Sequence, residues 1–174
     1  MAINTFEVEL TGGHPNSLGN TEEVVSVILK DHNKLQDLYD CYQSEDAVVR
    51  LRVSSAMKRI SKAQPEWIIE YLDRFQEETS TLDQPSAKWS LAQIFMWLDE
   101  KMSQKQRIRA IEIMKYNLET DDDWIVQSTT AESLAHFAGS DTSLKEWLLP
   151  RLEKMKGSRH NSVARKAQKL ILTL

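Results

Sequence analysis

Cysteine is nearly absent from this chain. Cys41 stands alone among 174 residues, so no internal disulfide is available and paired Cys-x-x-Cys zinc motifs are excluded. A lone cysteine fits a reducing compartment, and a cytoplasmic protein is expected. Glycine (five) and proline (four) are also scarce, too few for a sheet protein full of turns. Only FEVEL, residues 6–10, alternates at strand period, and one short extended run cannot build a sheet. No apolar run approaches the ~18 residues of a membrane span, and the start MAINTFEVEL lacks the basic and apolar regions of a signal peptide. Neither a membrane role nor secretion is expected.

What is abundant is Ala, Leu, Glu, Lys, Gln and Met, the residues that favour helix. The fold expected is all-α. A chain of this length reads as one domain, able to bury roughly 70% of the surface that its unfolded form exposes. Net charge is −4, which does not attract nucleic acid or anionic membrane globally. The charge is unevenly placed. Residues 1–47 hold nine acids against Lys30 and Lys34, net −7, whereas residues 151–174 hold seven bases against Glu153, net +6. Such opposed segments are compatible with a monomer or with weak head-to-tail self-association.

Helix boundaries are signposted. Ser103 and Gln106 have capping-box spacing, Pro65 and Pro85 suit first turns, and Asp46, Asp83, Asp121 and Asp122 precede helical patterns. These marks give helices near 21–30, 32–44, 46–62, 66–79, 84–100, 104–118, 122–138, 142–156 and 160–173. From residue 32 they fall into pairs, about 32–63, 64–101, 102–139 and 140–174, behind an N-terminal cap at 1–31 made of an extended segment, a Gly-rich loop and a first helix. The second helix of each pair repeats an alanine, Ala56, Ala92, Ala131 and Ala167, at spacings of 36, 39 and 36. Val53, Trp89, Ser128 and Ala164 stand three residues before it; Ile60, Met96, Ala135 and Ile171 stand four after. Both offsets share the alanine's helical face, which predicts one stripe packed on the partner helix. The first helices supply Leu35, Leu38 and Tyr42; Ile68, Leu72 and Phe75; Ile108, Ile111 and Met114; and Leu148, Leu152 and Met155.

The first pair carries Asp46-Ala-Val-Val49-Arg50 leading to Ala56, and the last carries Leu148-Leu149-Pro150-Arg151-Leu152. In these residues the chain resembles the HEAT-repeat, or armadillo-like, family over about residues 32–174. The middle pairs depart from the pattern, with Ser86 and Ala87 after Asp83, and Ile125 and Val126 after Asp122. The resemblance implies a right-handed α–α superhelix of about four hairpins, in which the second helices line a concave binding face.

Candidate chemistry is thin. TGGHPNSLGN, residues 11–20, imitates a phosphate loop, but Gly13 and Gly19 are five residues apart and Asn20-Thr21 stand where Lys-Ser/Thr is needed. Glu22 and Glu23 follow at once and repel an anion. A structural lead-in, with Asn20 or Thr21 capping the first helix, is the expectation. His14, His32, His136 and His160 are scattered, and Asp121-Asp122-Asp123 lacks the spacing of a calcium loop. No catalytic residue, metal or cofactor is expected. Of five tryptophans, Trp67, Trp89, Trp124 and Trp147 fall in or beside core columns and are expected to be buried; Trp97 falls off them.

Offsets of −6, −2, +1 and +5 from the alanine define a ridge facing away from the partner helix. It supplies Arg50, Ser54, Met57 and Ser61; Ser86, Ser90, Gln93 and Trp97; Ile125, Thr129, Glu132 and His136; and Asn161, Arg165, Gln168 and Leu172, of which Arg50, Ser54, Ser90, Gln93, Trp97, Thr129, Glu132, His136, Arg165 and Gln168 are the candidate binding residues. An aromatic amid small polar residues is the usual composition of a binding hot spot. The expected function is therefore a non-enzymatic protein- or peptide-binding scaffold centred on Trp97. The alternative is a nucleic-acid-binding or DNA-repair, glycosylase-like HEAT protein, which the acidic balance disfavours.

Overall fold

The computed structural model describes residues 5–14 and 17–174, and among these every regular element is helical. The chain divides into two compact units, Met1–Ile94 and Phe95–Leu174. The first contains α1 (Thr5–Leu10), α2 (Thr21–Lys30), α3 (Leu35–Asp40), α4 (Ala47–Ala63), α5 (Pro65–Ile68) and α6 (Leu72–Glu77). Helix α7 (Pro85–Leu98) carries the division. The second unit continues with α8 (Gln104–Thr120), α9 (Trp124–Ala138), α10 (Thr142–Met155) and α11 (Asn161–Thr173).

Helix α4 is the hub of the first unit, packing against α1, α2, α3, the 3₁₀ turn Cys41–Gln43 and α5. Its buried side is wide because partners lie on several sides: Val49, Val53, Ala56, Met57 and Ile60 are all inaccessible. Asp46 starts it by accepting from the Val48 amide at 2.8 Å. The expected helices 32–44 and 66–79 are each an α-helical segment interrupted or flanked by 3₁₀ turns, His32–Lys34 and Cys41–Gln43 around α3, Ile69–Tyr71 and Thr79–Thr81 around α6.

The extended segment expected at FEVEL is instead the short helix α1. Phe6 and Leu10, four residues apart, are 5% and 0% exposed, while Val8 is 57% exposed. A helix turn brings both apolar residues onto one core, whereas a strand would have no ladder partner among the described residues.

In the second unit α9 is the hub, packed by α8, α10 and α11. Ser103 and Gln106 form the complete capping box at the start of α8. At α9 the cap is Asp123, one residue later than expected, with its carboxylate accepting from Ile125 and Val126 at 2.8 and 3.0 Å. The alanine column holds in full: Ala56, Ala92, Ala131 and Ala167 are each at most 1% exposed. One first-helix column does not hold. Ile108 is 51% exposed, and α8 buries Ala110, Ile113, Met114, Asn117 and Leu118. These positions form a continuous stripe at helical spacing, so α8 is rotated relative to the expected phase. Among the described residues no helix is long and apolar enough to cross a membrane.

Candidate functional site

The Gly-rich loop has an occupant. Arg52, on α4 and only 1% exposed, reaches into it and donates to four carbonyls: Leu10 and Gly12 at 2.6 Å each, Ser17 at 3.1 Å and His14 at 3.3 Å. A phosphate loop aims amides inward; this loop aims carbonyls at a cation of its own chain. Gly12, Gly13 and Gly19 take φ of 72°, 74° and 51°, the left-handed region that turns the backbone in this way. Gly19 is further required by space, since a Cβ there would stand 2.7 Å from Arg52 Cζ. Asn20 makes no side-chain cap, and the Thr21 hydroxyl instead donates to Leu18 O at 2.5 Å. Arg52 lies four residues before Ala56, on the core side of α4, a placement for arginine that was visible in the sequence but not singled out.

The expected ridge separates into two behaviours. On α4 and α7 it is largely absorbed into structure. Ser54 is fully buried, with its hydroxyl donating to Arg50 O at 2.8 Å, because α4 is packed from several directions. Ser90 is 1% exposed, because α7 is apolar almost all round and buries Ala87, Leu91, Ala92, Ile94, Phe95 and Leu98 as well. Both serines leave the candidate surface. Arg50 is half-buried and engaged, donating to Gln84 Oε1 at 2.7 Å and Ser44 O at 2.6 Å. Gln84 in turn donates to Ala47 O, so the Asp46–Arg50 motif ties the start of α4 to the start of α7. Gln93 and Trp97 are half-buried.

On α9 and α11 the ridge is open. Thr129 and Glu132 are half-buried, and His136, Arg165 and Gln168 are exposed. The two helices are neighbours. Trp124 stacks on His160, the residue 36 positions later, with ring centroids 6.1 Å apart. Near mid-helix Lys166 Nζ meets Glu132 Oε2 at 2.7 Å, and the C-terminal ends of both helices border one cleft. The two helices thus run side by side, with Lys166 of α11 the residue that meets Glu132 of α9.

That cleft encloses about 520 Å³ and is lined by Glu132, His136, Ser140, Asp141, Lys145 and Thr173, among others. His136 Nε2 lies 3.2 Å from Asp99 Oδ2, and Arg107 Nε donates to Asp99 Oδ1 at 2.6 Å. Arg107 also donates to Ser140 Oγ at 3.1 Å and Phe137 O at 3.3 Å, fixing the end of α9. The chain Arg107–Asp99–His136 therefore orients the imidazole at the cleft edge. Arg165 and Gln168 border a second, shallower depression of about 380 Å³ with Lys156, Asn161 and Ala164.

The tryptophans correct a further expectation, since none of the five is fully buried. Trp124 is 43% exposed, because it opens α9 at the unit's edge. Trp147 is half-buried, with Lys115 Nζ 4.4 Å and Arg151 Cζ 3.7 Å from its ring centre. Burial pushes the Cys41 thiol up to about 12, with nearby Glu7, Asp40 and Asp37 adding to the effect. That holds the thiol neutral and unreactive at neutral pH. Among the described residues no group of three or more His, Cys, Asp or Glu side chains is placed to hold a metal ion.

No protein-family model matches the chain, and no curated protein matches it. Among solved structures it is similar to the crystal structure of an engineered protein from the Northeast Structural Genomics Consortium. The two share 18% identity at a TM-score of 0.65, over 98% of this chain and 80% of that one. The likeness bears on the fold alone.

Proposed function

We propose that the chain is a HEAT-like helical array and a non-enzymatic binding module for a protein or peptide, using the face formed by α9 and α11. The observation that carries this reading is the contrast between the two halves of one ridge. Ser54 on α4 and Ser90 on α7 are buried, whereas no named position on α9 and α11 is: Thr129 and Glu132 are half-buried, and His136, Arg165 and Gln168 are exposed. Packing accounts for the buried serines, while Glu132 meets Lys166 and His136 meets Asp99 and the edge of Phe137. Parallel helices with a cleft at one end suit an extended segment laid along them, with a side chain entering beside His136. Trp97, half-buried at the end of α7, is retained as a candidate anchor. The neutral, buried Cys41 supports a reducing, cytoplasmic setting.

Affinity capture from cell lysate tests this, comparing wild type with His136→Ala/Gln168→Ala and with Glu45→Ala as a surface control. A partner held by wild type and control but lost by the double variant supports the reading. A partner held equally by all three, with the double variant folded, overturns the assignment of the face.

A further inference from the structure

A second cleft in the Phe95–Leu174 unit, of about 530 Å³, lies where α8 ends, α9 begins and α10 ends. It shares no residue with the face proposed for a protein partner. Leu118, buried, and Met155, half-buried, give it an apolar lining. Glu119 and Arg151 border it as a closed pair: Arg151 Nε donates to Glu119 Oε1 at 3.0 Å, and its Nη1 donates to Trp147 O at 2.7 Å. Those two charges are spent on each other.

The polar groups that remain are sorted by side. From the start of α9 come acceptors. Asp122 is exposed with no cationic partner among the described residues, and Gln127 Nε2 donates to Asp121 O at 3.0 Å, which leaves Oε1 to accept. From the end of α10 and the turn after it come donors. Lys154 is exposed with no anionic partner among the described residues, and Ser158 Oγ accepts from the His160 amide at 3.2 Å, which leaves its O–H to donate. Asp122 and Lys154 border one cleft and do not pair with each other.

We infer that this cleft binds a small zwitterion with an apolar body, the chemistry of an apolar α-amino acid or a short apolar peptide. The ligand's ammonium meets Asp122 and Gln127, its carboxylate meets Lys154 and Ser158, and its apolar part lies against Leu118 and Met155. The volume falls within the roughly 300–1,000 Å³ of small-molecule sites, which combine apolar lining with a few placed polar groups. A solute with one charge leaves one side of the cleft unmatched, and a wholly polar solute leaves the lining unused. Both charged side chains are open to water, so each ion pair changes affinity only a few-fold and recognition is their sum with apolar contact.

Titration of the full chain followed by amide NMR tests this, with leucine and the dipeptide Leu-Leu as probes at up to about 10 mM, enough to fill a millimolar site. N-acetyl-leucine lacks the ammonium, leucinamide lacks the carboxylate, and serine lacks the apolar body. The zwitterionic probes should shift amides around Leu118, Asp122 and Lys154, and the tighter of the two identifies free amino acid or peptide as the source. That probe should bind at least about threefold more tightly than each of the three controls. Asp122→Asn should erase its advantage over N-acetyl-leucine, and Lys154→Gln its advantage over leucinamide. Both substituted side chains are exposed and Asp123 caps α9, so both variants keep the fold, which their NMR spectra check. No saturable shift with either probe, or shifts away from this cleft, overturns the inference. So does a control that binds as well as the zwitterion, or a variant that keeps both preferences.

Discussion

Replacing Arg52 by methionine isolates what the buried guanidinium does. Methionine keeps much of the aliphatic packing and removes all four donors to Leu10, Gly12, His14 and Ser17. Hydrogen bonds to a charged group contribute about 1.5–3 kcal/mol each, but these do not simply add. The Gly12, His14 and Ser17 residues are exposed, so their carbonyls regain water when the arginine is gone. Leu10 is fully buried, and an unsatisfied carbonyl there costs about 1–3 kcal/mol. Removing a desolvated cation returns part of the loss. The net expectation is about 2–3 kcal/mol of destabilisation. It is capped, because α1 is only six residues long and cannot persist alone once untied. Detachment of residues 5–20 then becomes the low-energy opening. Urea unfolding should give the global loss, and amide exchange should accelerate roughly a hundredfold in α1, the equivalent of about 2.7 kcal/mol, with α8–α11 unchanged. Adding Gly19→Ala closes a cycle. In wild type it meets Arg52 Cζ at 2.7 Å and costs more than the roughly 1–2 kcal/mol of a left-handed alanine; in Arg52→Met only that backbone cost remains. An Arg52→Met protein within about 0.5 kcal/mol of wild type, with α1 still protected, would refute the latch.

Asp123→Ala removes the acceptor for two amides at the start of α9 and should cost about 1 kcal/mol in chemical denaturation. Ala131→Leu overfills a fully buried repeat column and should cost about 1–3 kcal/mol, whereas Gln168→Leu on the proposed face should leave stability nearly unchanged. Cys41 and Tyr39 are both raised to about 12, chiefly by burial, so the folded chain holds their protons more tightly than the unfolded one. Their contribution is intact below the unfolded values and is lost as pH rises from about 9 toward 12, which alkaline unfolding titrations should show. In the same range a thiol reagent should label Cys41 at the rate of unfolding, not at the rate of free thiol.

Much of the fold was legible because helix signals are local. Capping boxes, first-turn prolines and a repeating alanine each depend on residues within a turn or two, and the buried column at Ala56, Ala92, Ala131 and Ala167 followed from spacing alone. The phase of α8 was not legible: Ile108 and Ile113 are equally apolar, and only packing against α9 decides which is covered. FEVEL read as a strand because strand and short-helix patterns overlap over five residues, and burial of Phe6 with Leu10 settles it. Ser54 and Ser90 of the ridge are buried on α4 and α7, because a helical wheel shows which residues share a face but not how many neighbours that helix has. The TGGHPNSLGN loop shows the same limit. Its glycines announced an unusual backbone, yet the partner that explains it, Arg52, lies more than thirty residues away.

The proposed binding face consists of Thr129, Glu132 and His136 on α9 with Arg165 and Gln168 on α11. A photoreactive amino acid placed at Gln168 in living cells, with the same group at Glu45 for comparison, tests that face directly. A discrete cross-linked protein at Gln168, absent at Glu45 and reduced by His136→Ala, is the expected result. Identical products at the two positions, or products at Gln168 that are indifferent to His136, would contradict it.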